Sequence, residues 1–158
     1  MQTASITSPG ILARSQAPTN RPGRGPLDDV VRPGENPGVH TISVESGFRA
    51  THHVRLPGGG LETPHPHDWK VRVFLSRPEL DDLGMVADFE GIQRTLAQVL
   101  LGFQHADLNT CAAFAGVNPT AEVLAKFIFE RLGECGLADL RRVEVTEAPG
   151  CVASYEAR

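Results

Sequence analysis

Four stretches of two-residue alternation and two of helical periodicity follow the order strand, strand, helix, helix, strand, strand. That order predicts an α+β sandwich: a four-stranded antiparallel sheet with two helices on one face. Proline- and glycine-rich breaks between the stretches, among them Pro149-Gly150 in a position for a tight hairpin, favour antiparallel neighbours. With 158 residues, 41% of them hydrophobic, the chain is long enough for one domain with a real core.

Residues 1–38 stand apart. They hold half of the twelve prolines and show almost no hydrophobic periodicity. Such a segment buries too little apolar area to offset its ordering entropy, so a disordered or loosely attached arm is expected, with the folded domain at 39–158. Arg14, Arg21 and Arg24, with no acid before Asp28, give the arm a slight likeness to a transit peptide. Its prolines forbid a sustained amphipathic helix.

From Val39 the pattern changes. His40, Ile42 and Val44 alternate with Thr41, Ser43 and Glu45 in a strand that continues toward Ala50. Pro57 and Gly58-Gly59-Gly60 predict a flexible loop. Lys70–Ser76 reads as the second strand, with Val71, Val73 and Leu75 on one face. Asp88 suits an N-cap, and Phe89, Ile92, Leu96, Val99, Leu100 and Phe103 form one apolar stripe behind it. Asn118 or Thr120 caps the second helix, with Pro119 allowed in its first turn and a stripe of Ala121, Leu124, Phe127, Ile128 and Leu132. Gly133 and Gly136 are expected to stop it. Arg141–Thr146 and Cys151–Glu156 complete a sheet with two open edges, which invite pairing with another subunit.

Composition narrows the function. A net charge of −4 without a basic run argues against a nucleic-acid or acidic-membrane partner. No apolar run approaches the ~20 residues of a membrane span, and the first residues lack a secretory apolar region. Three cysteines, an odd count without CxxC spacing, are read as reduced thiols of a cytoplasmic protein. Four of the six histidines (His52, His53, His65 and His67) fall between Phe48 and Lys70. In an extended strand His65 and His67 share a face. A third imidazole from a preceding strand would complete a three-histidine zinc site with an open fourth position, as in catalytic zinc. Taken alone, the same histidines also fit a solvated strand.

A family resemblance sharpens this. Phe48-Arg49-Ala50-Thr51-His52, His65-Pro66-His67, Gly84-Met85-Val86-Ala87-Asp88-Phe89, His105-Ala106-Asp107-Leu108-Asn109, Asn118-Pro119-Thr120-Ala121-Glu122 and Val145-Thr146-Glu147 occur in the order of one family. Over about residues 40–156 the chain resembles the 6-pyruvoyl-tetrahydropterin synthase and 6-carboxytetrahydropterin synthase family. The resemblance implies the tunnelling fold, in which subunits join sheets into barrels, usually homohexamers, with active sites at subunit interfaces. It implies 7,8-dihydroneopterin triphosphate as the pterin substrate. It also implies that His52, His65 and His67 hold Zn2+, that Glu147 anchors the pterin ring and that His105 transfers protons. These roles suit the chemistry: neutral imidazoles match zinc, a carboxylate accepts paired N–H groups, and imidazole titrates near neutrality. His53 is the alternative to His52, although strand alternation turns it to the other face.

The chain also departs from the family. The family's proton-shuttling cysteine precedes the HxH pair by four residues, and that position is Leu61. Glu62 follows, giving Glu-x-x-His-x-His. This resembles a branch in which glutamate replaces the cysteine and the product is 6-hydroxymethyl-7,8-dihydropterin, a folate precursor. Gln104 replaces the aspartate that usually precedes the catalytic histidine, and Pro66 replaces the glycine of the HxH pair. Cys111 is a candidate substitute thiol, but a small apolar loop residue is the preferred reading. The expected activity is a zinc-dependent carbon–carbon lyase in which Glu62 and His105 move protons. Its product is 6-carboxytetrahydropterin (a queuosine-type role) or the hydroxymethyl compound (a folate-type role). The cleavage is redox-neutral and calls for no nicotinamide or flavin. The alternative is a non-catalytic paralogue that keeps zinc and binds a pterin or a partner.

Overall fold

The computed structural model describes residues 38–157. The arm expected over 1–38 lies outside them, except for Gly38. Strands β1 (His40–His52) and β2 (His65–Arg77) pair antiparallel along their whole length, from His40 opposite Arg77 to His52 opposite His65. Helices α1 (Phe89–Leu100) and α2 (Ala121–Glu134) follow, then β3 (Leu140–Ala148) and β4 (Cys151–Glu156). The sheet order is β1-β2-β3-β4, every neighbour antiparallel. This is the predicted four-stranded α+β sandwich.

The alternation sorts the two faces. Val44, Phe48 and Ala50 of β1, Trp69, Val71, Val73 and Leu75 of β2, and Val143 and Val145 of β3 are buried with Ile92, Leu96, Leu124, Ile128 and Leu132 of the helices. Each such side chain contributes roughly 1.5–3 kcal/mol by leaving water. The opposite face is polar, with Arg49 paired to Asp68 at 2.8 Å and Arg72 to Glu45 at 2.6 Å. Arg142 lies 4.0 Å over the Phe74 ring and pairs with Glu144 and Glu156.

Several boundaries differ from expectation. β2 starts at His65 rather than Lys70, with Pro66 inside it opposite Thr51. β3 pairs with β2 only as far as Lys70, so beyond that point β1 is the one strand partner of β2 among the described residues. A proline's missing N–H is tolerated in such an edge setting. Asp88 caps α1 as expected, its carboxylate accepting from Glu90 N and Gly91 N. The stripe leaves the α-helix at Leu100, and a 3-10 turn at Leu101–Phe103 carries Phe103 into the core. Phe89, at the start of the stripe, is exposed. Thr120, not Asn118, caps α2, with Oγ1 accepting from Val123 N at 3.4 Å. Gly133 lies inside the helix. The stop is Gly136 at φ +80, beside a Leu137 N–H that donates to Leu132 O.

The edges are also less open than the strand count suggests. Residues Gln104–Asp107 run beside the outer edge of β1, where His105 N donates to Arg49 O and Thr51 N donates to Ala106 O. At the other end, the two-residue loop Pro149-Gly150 joins β3 to β4, with Gly150 at φ +84. No helix among the described residues is long and apolar enough to cross a membrane.

Gly47 lies where a side chain would strike backbone: a Cβ there would meet Trp69 O at 2.7 Å. Gly47→Ala is expected to force β1 away from β2 and to destabilise the fold by about 1–3 kcal/mol in denaturant unfolding. An unchanged midpoint would show that the strands absorb the methyl group.

Candidate metal centre and active site

The register of β1 and β2 builds the histidine cluster. His52 sits directly opposite His65, and Ala50 sits opposite His67. His65 and His67 share a face by alternation, and that face carries His52, Trp69 and Ala50 toward the core. The three imidazoles meet edge to face, with ring centroids 4.7 to 5.1 Å apart. Trp69 closes the inner side, and its Nε1–H donates to Ala50 O at 3.3 Å.

Glu147 arrives from β3. Val143, Val145 and Glu147 alternate onto the same face, and the register shift between Thr146 and Ala148 leaves Glu147 without a partner on β4. Its Oε1 lies 3.3 Å from both His52 Nε2 and His67 Nε2. One ligand atom from each of His52, His65, His67 and Glu147 can be chosen so that all four lie within 4.8 Å of one another. Beside them, Pro66, His67, Lys70, Thr146 and Glu147 line a groove of about 500 Å³, at the point where β3 leaves β2.

Hydrogen bonds decide the tautomers. His52 Nδ1 lies 2.9 Å from Pro119 O, and His65 Nδ1 lies 2.8 Å from Thr63 O. A carbonyl oxygen only accepts, so both Nδ1 atoms carry the proton and, in the neutral rings, both Nε2 atoms carry a free lone pair. His52 is 2% exposed, and its Nε2 is buried without a hydrogen-bond partner, as is His67 Nε2. The 3.3 Å approach of Glu147 therefore brings charge near these atoms without satisfying them. An orphaned buried nitrogen costs about 1–3 kcal/mol, and a cation among the lone pairs removes that cost. Burial pushes the His67 imidazole below its ordinary value, with His52 and His65 acting in the same direction against Glu147 and Glu62. The ring is thus held neutral, the form that binds metal. The donor set and its orientation fit zinc.

The other expected residues fall in two places. Glu62 is half-buried near His67 and zipped to Val54: Glu62 N donates to Val54 O at 3.0 Å, and Val54 N donates to Glu62 Oε2 at 3.3 Å. His105 is exposed, at φ 59, and does not belong to the four-residue group. Gln104 Oε1 accepts from Arg49 N at 3.2 Å, which fixes its amide and leaves Gln104 Nε2 to donate to His105 Nε2 at 3.0 Å. His105 Nδ1 then carries the proton of the neutral ring.

Cys111 donates weakly to Asp107 O at 3.5 Å, and burial, with Asp107, raises its thiol above the ordinary value. It is a poor thiolate and lies outside the cluster. His53 is bracketed at its backbone by Asn109 and turned from the cluster, as alternation requires. No periodic feature of the sequence marks the carbonyls of Thr63 and Pro119 as orienters. The one available signal is the adjacent prolines, Pro64 and Pro119 itself.

Comparison with known proteins agrees with this geometry. The family model described as 6-pyruvoyl tetrahydropterin synthase matches residues 41–158. The chain is 30% identical over 119 residues to the 6-carboxy-5,6,7,8-tetrahydropterin synthase of Synechocystis sp., covering 72% of this chain and 91% of that one. The 6-pyruvoyl tetrahydropterin synthase structure from Caenorhabditis elegans superposes with a TM-score of 0.66 at 24% identity, covering 77% of this chain and 97% of that one. A Plasmodium vivax 6-pyruvoyltetrahydropterin synthase, in a variant whose catalytic glutamate is replaced by cysteine, superposes with a TM-score of 0.63 at 17% identity, covering 77% and 99%. With the family model spanning the whole sheet and both helices, the chain belongs to the 6-pyruvoyl tetrahydropterin synthase family.

Proposed function

We propose that the protein is a zinc-dependent carbon–carbon lyase acting on 7,8-dihydroneopterin triphosphate, with His52, His65 and His67 holding the ion. One observation carries the reading: the Nδ1–H groups of His52 and His65 are committed to backbone carbonyls, which leaves lone pairs converging with that of His67. Zinc bound there supplies Lewis acidity toward the hydroxyls of the substrate side chain.

The chain's own groups do the rest. Glu147 lines the groove and anchors the pterin, its carboxylate accepting the ring N–H and the exocyclic amine in parallel. Glu62, beside the histidines, removes a side-chain hydroxyl proton. For the hydroxymethyl product, the carbon–carbon bond breaks as that oxygen becomes the carbonyl of a departing triphosphate-bearing aldehyde, and the electron pair passes into the ring system. His105 returns a proton. Its exposure and its separation from the cluster suit delivery to the site of a neighbouring copy in a homohexamer.

Glu62 favours 6-hydroxymethyl-7,8-dihydropterin as product, through the resemblance to the branch in which glutamate replaces the family's cysteine. The Synechocystis relative is named for the 6-carboxy product. A second reading is a zinc-binding paralogue without turnover. It is favoured by His105, whose ring meets the Gln104 amide rather than a carboxylate that would steady an imidazolium.

Incubation of the zinc-loaded protein with 7,8-dihydroneopterin triphosphate is expected to release a pterin that chromatography assigns to one of the two products. Glu62→Ala should lower kcat about 100-fold or more. Unchanged turnover in that variant would sink Glu62 as the base, and no product from the unaltered protein would leave the paralogue reading. Glu147→Ala should raise KM while metal analysis still finds zinc bound; loss of zinc would make Glu147 a ligand. The depressed imidazole of His67 also sets a sign for acid release. Protons compete with zinc at His67 only below the ordinary histidine value of about 6.5, so zinc affinity should not fall between pH 8 and pH 7 on its account. A weaker affinity at pH 7 than at pH 8 in a chelator titration would contradict that.

A further inference from the structure

We infer that Asn109 and Asn118 form an amide clamp that sets the position of Glu62. Both are positioning residues, and the catalytic consequence rests on the reading of Glu62 as the base. β1 ends at His52, yet the next three residues are held like the centre strand of a small sheet. On one edge, His53 N donates to Asn109 Oδ1 at 2.9 Å and Asn109 Nδ2 donates to His53 O at 2.8 Å. Two residues on, Arg55 N donates to Asn118 Oδ1 at 2.9 Å and Asn118 Nδ2 donates to Arg55 O at 3.0 Å.

Backbone groups of alternate residues point to the same edge of an extended chain, so Val54 between them must face the other way. It does, and what it meets is Glu62: Val54 O accepts from Glu62 N, and Val54 N donates to the Glu62 carboxylate. A backward pairing of Arg55 with Leu61 continues that side. The two side-chain amides therefore stand in for a missing strand. A primary amide is the one side-chain group that offers a donor and an acceptor in the fork a peptide needs.

The clamp also reaches the histidines. Pro119, adjacent to Asn118, presents the carbonyl that orients His52. One loop thus registers the base and a metal-site residue against each other. Asn109 brackets His53 and makes no hydrogen bond to the Pro119 segment that orients His52, which makes it the cleaner probe.

The test measures amide hydrogen exchange and steady-state kinetics on zinc-loaded full-length protein. In Asn109→Ala, the Val54 and Glu62 amides are expected to lose protection while those of Val71 and Val143 keep theirs. Against 7,8-dihydroneopterin triphosphate, kcat should fall about 10-fold or more with KM nearly unchanged. Asn109→Asp keeps the acceptor for His53 N–H and lacks the donor, so its kcat should lie between the two. In a Glu62→Gln background, Asn109→Ala should cost nothing further, because both changes act through one group. Unchanged exchange at Val54 and Glu62 overturns the clamp. An equal cost in the Glu62→Gln background overturns its action through the base. If the unaltered protein turns over no substrate, the lyase reading has failed instead, and the exchange result still decides whether the clamp exists.

Discussion

The pairing register of β1 against β2 is the constraint on which everything else rests. It sets His52 opposite His65, Ala50 opposite His67 and Phe48 opposite Trp69. Side chains alternate strictly, so a slip of one residue would send all of one strand's site residues to the polar face. What prevents the slip lies away from the site. Val44, Phe48 and Ala50 must meet Trp69, Val71 and Val73 under the helices, and each buried apolar side chain adds roughly 1.5–3 kcal/mol. Gly47 lets the strands close where the Trp69 carbonyl projects. The hydrophobic core thereby does the aiming of the imidazoles.

Aiming alone would leave rings free to rotate. Rotation is limited by backbone carbonyls from irregular segments, Thr63 O for His65 and Pro119 O for His52. Thr63 precedes Pro64, and a residue before proline is confined to extended conformations, which narrows the direction of that carbonyl. Prolines at 64, 66 and 119 therefore trade chain entropy for orientation near the site. The irregular loops are thus as organised around the cluster as the strands are.

The sheet, both helices and the histidine pair were legible because each leaves a periodic trace. Asp88 and Thr120 announced their helices through cap chemistry, and the HxH spacing announced one face of one strand. The early start of β2 was hidden by Pro66, which reads as a strand breaker until the loss of β3 as a neighbour is known. Glu147 reaches the histidines because β3 pairs with β2 up to Thr146 opposite Lys70, a property of pairing that the sequence of β3 does not carry. The brackets made by Asn109 and Asn118 join residues 56 and 63 positions apart. Such single long-range bonds have no period to detect. The roles proposed for His105 and Glu147 come from the resemblance of six short motifs, which patterning alone could not supply.

Two non-glycine residues among those described, His105 and Asp139, have a backbone at odds with a side chain. His105 adopts φ 59, a left-handed conformation that a Cβ disfavours and glycine adopts freely. Its N–H is tied to Arg49 O at 2.6 Å, so the turn is imposed by the edge of β1 whatever residue occupies it. Folding energetics alone would select glycine here, and an exposed imidazole adds no core contact in compensation. Under the proton-transfer role proposed for His105, stability and chemistry pull in opposite directions at this position. A variant chosen purely for thermal robustness would be drawn to remove that ring.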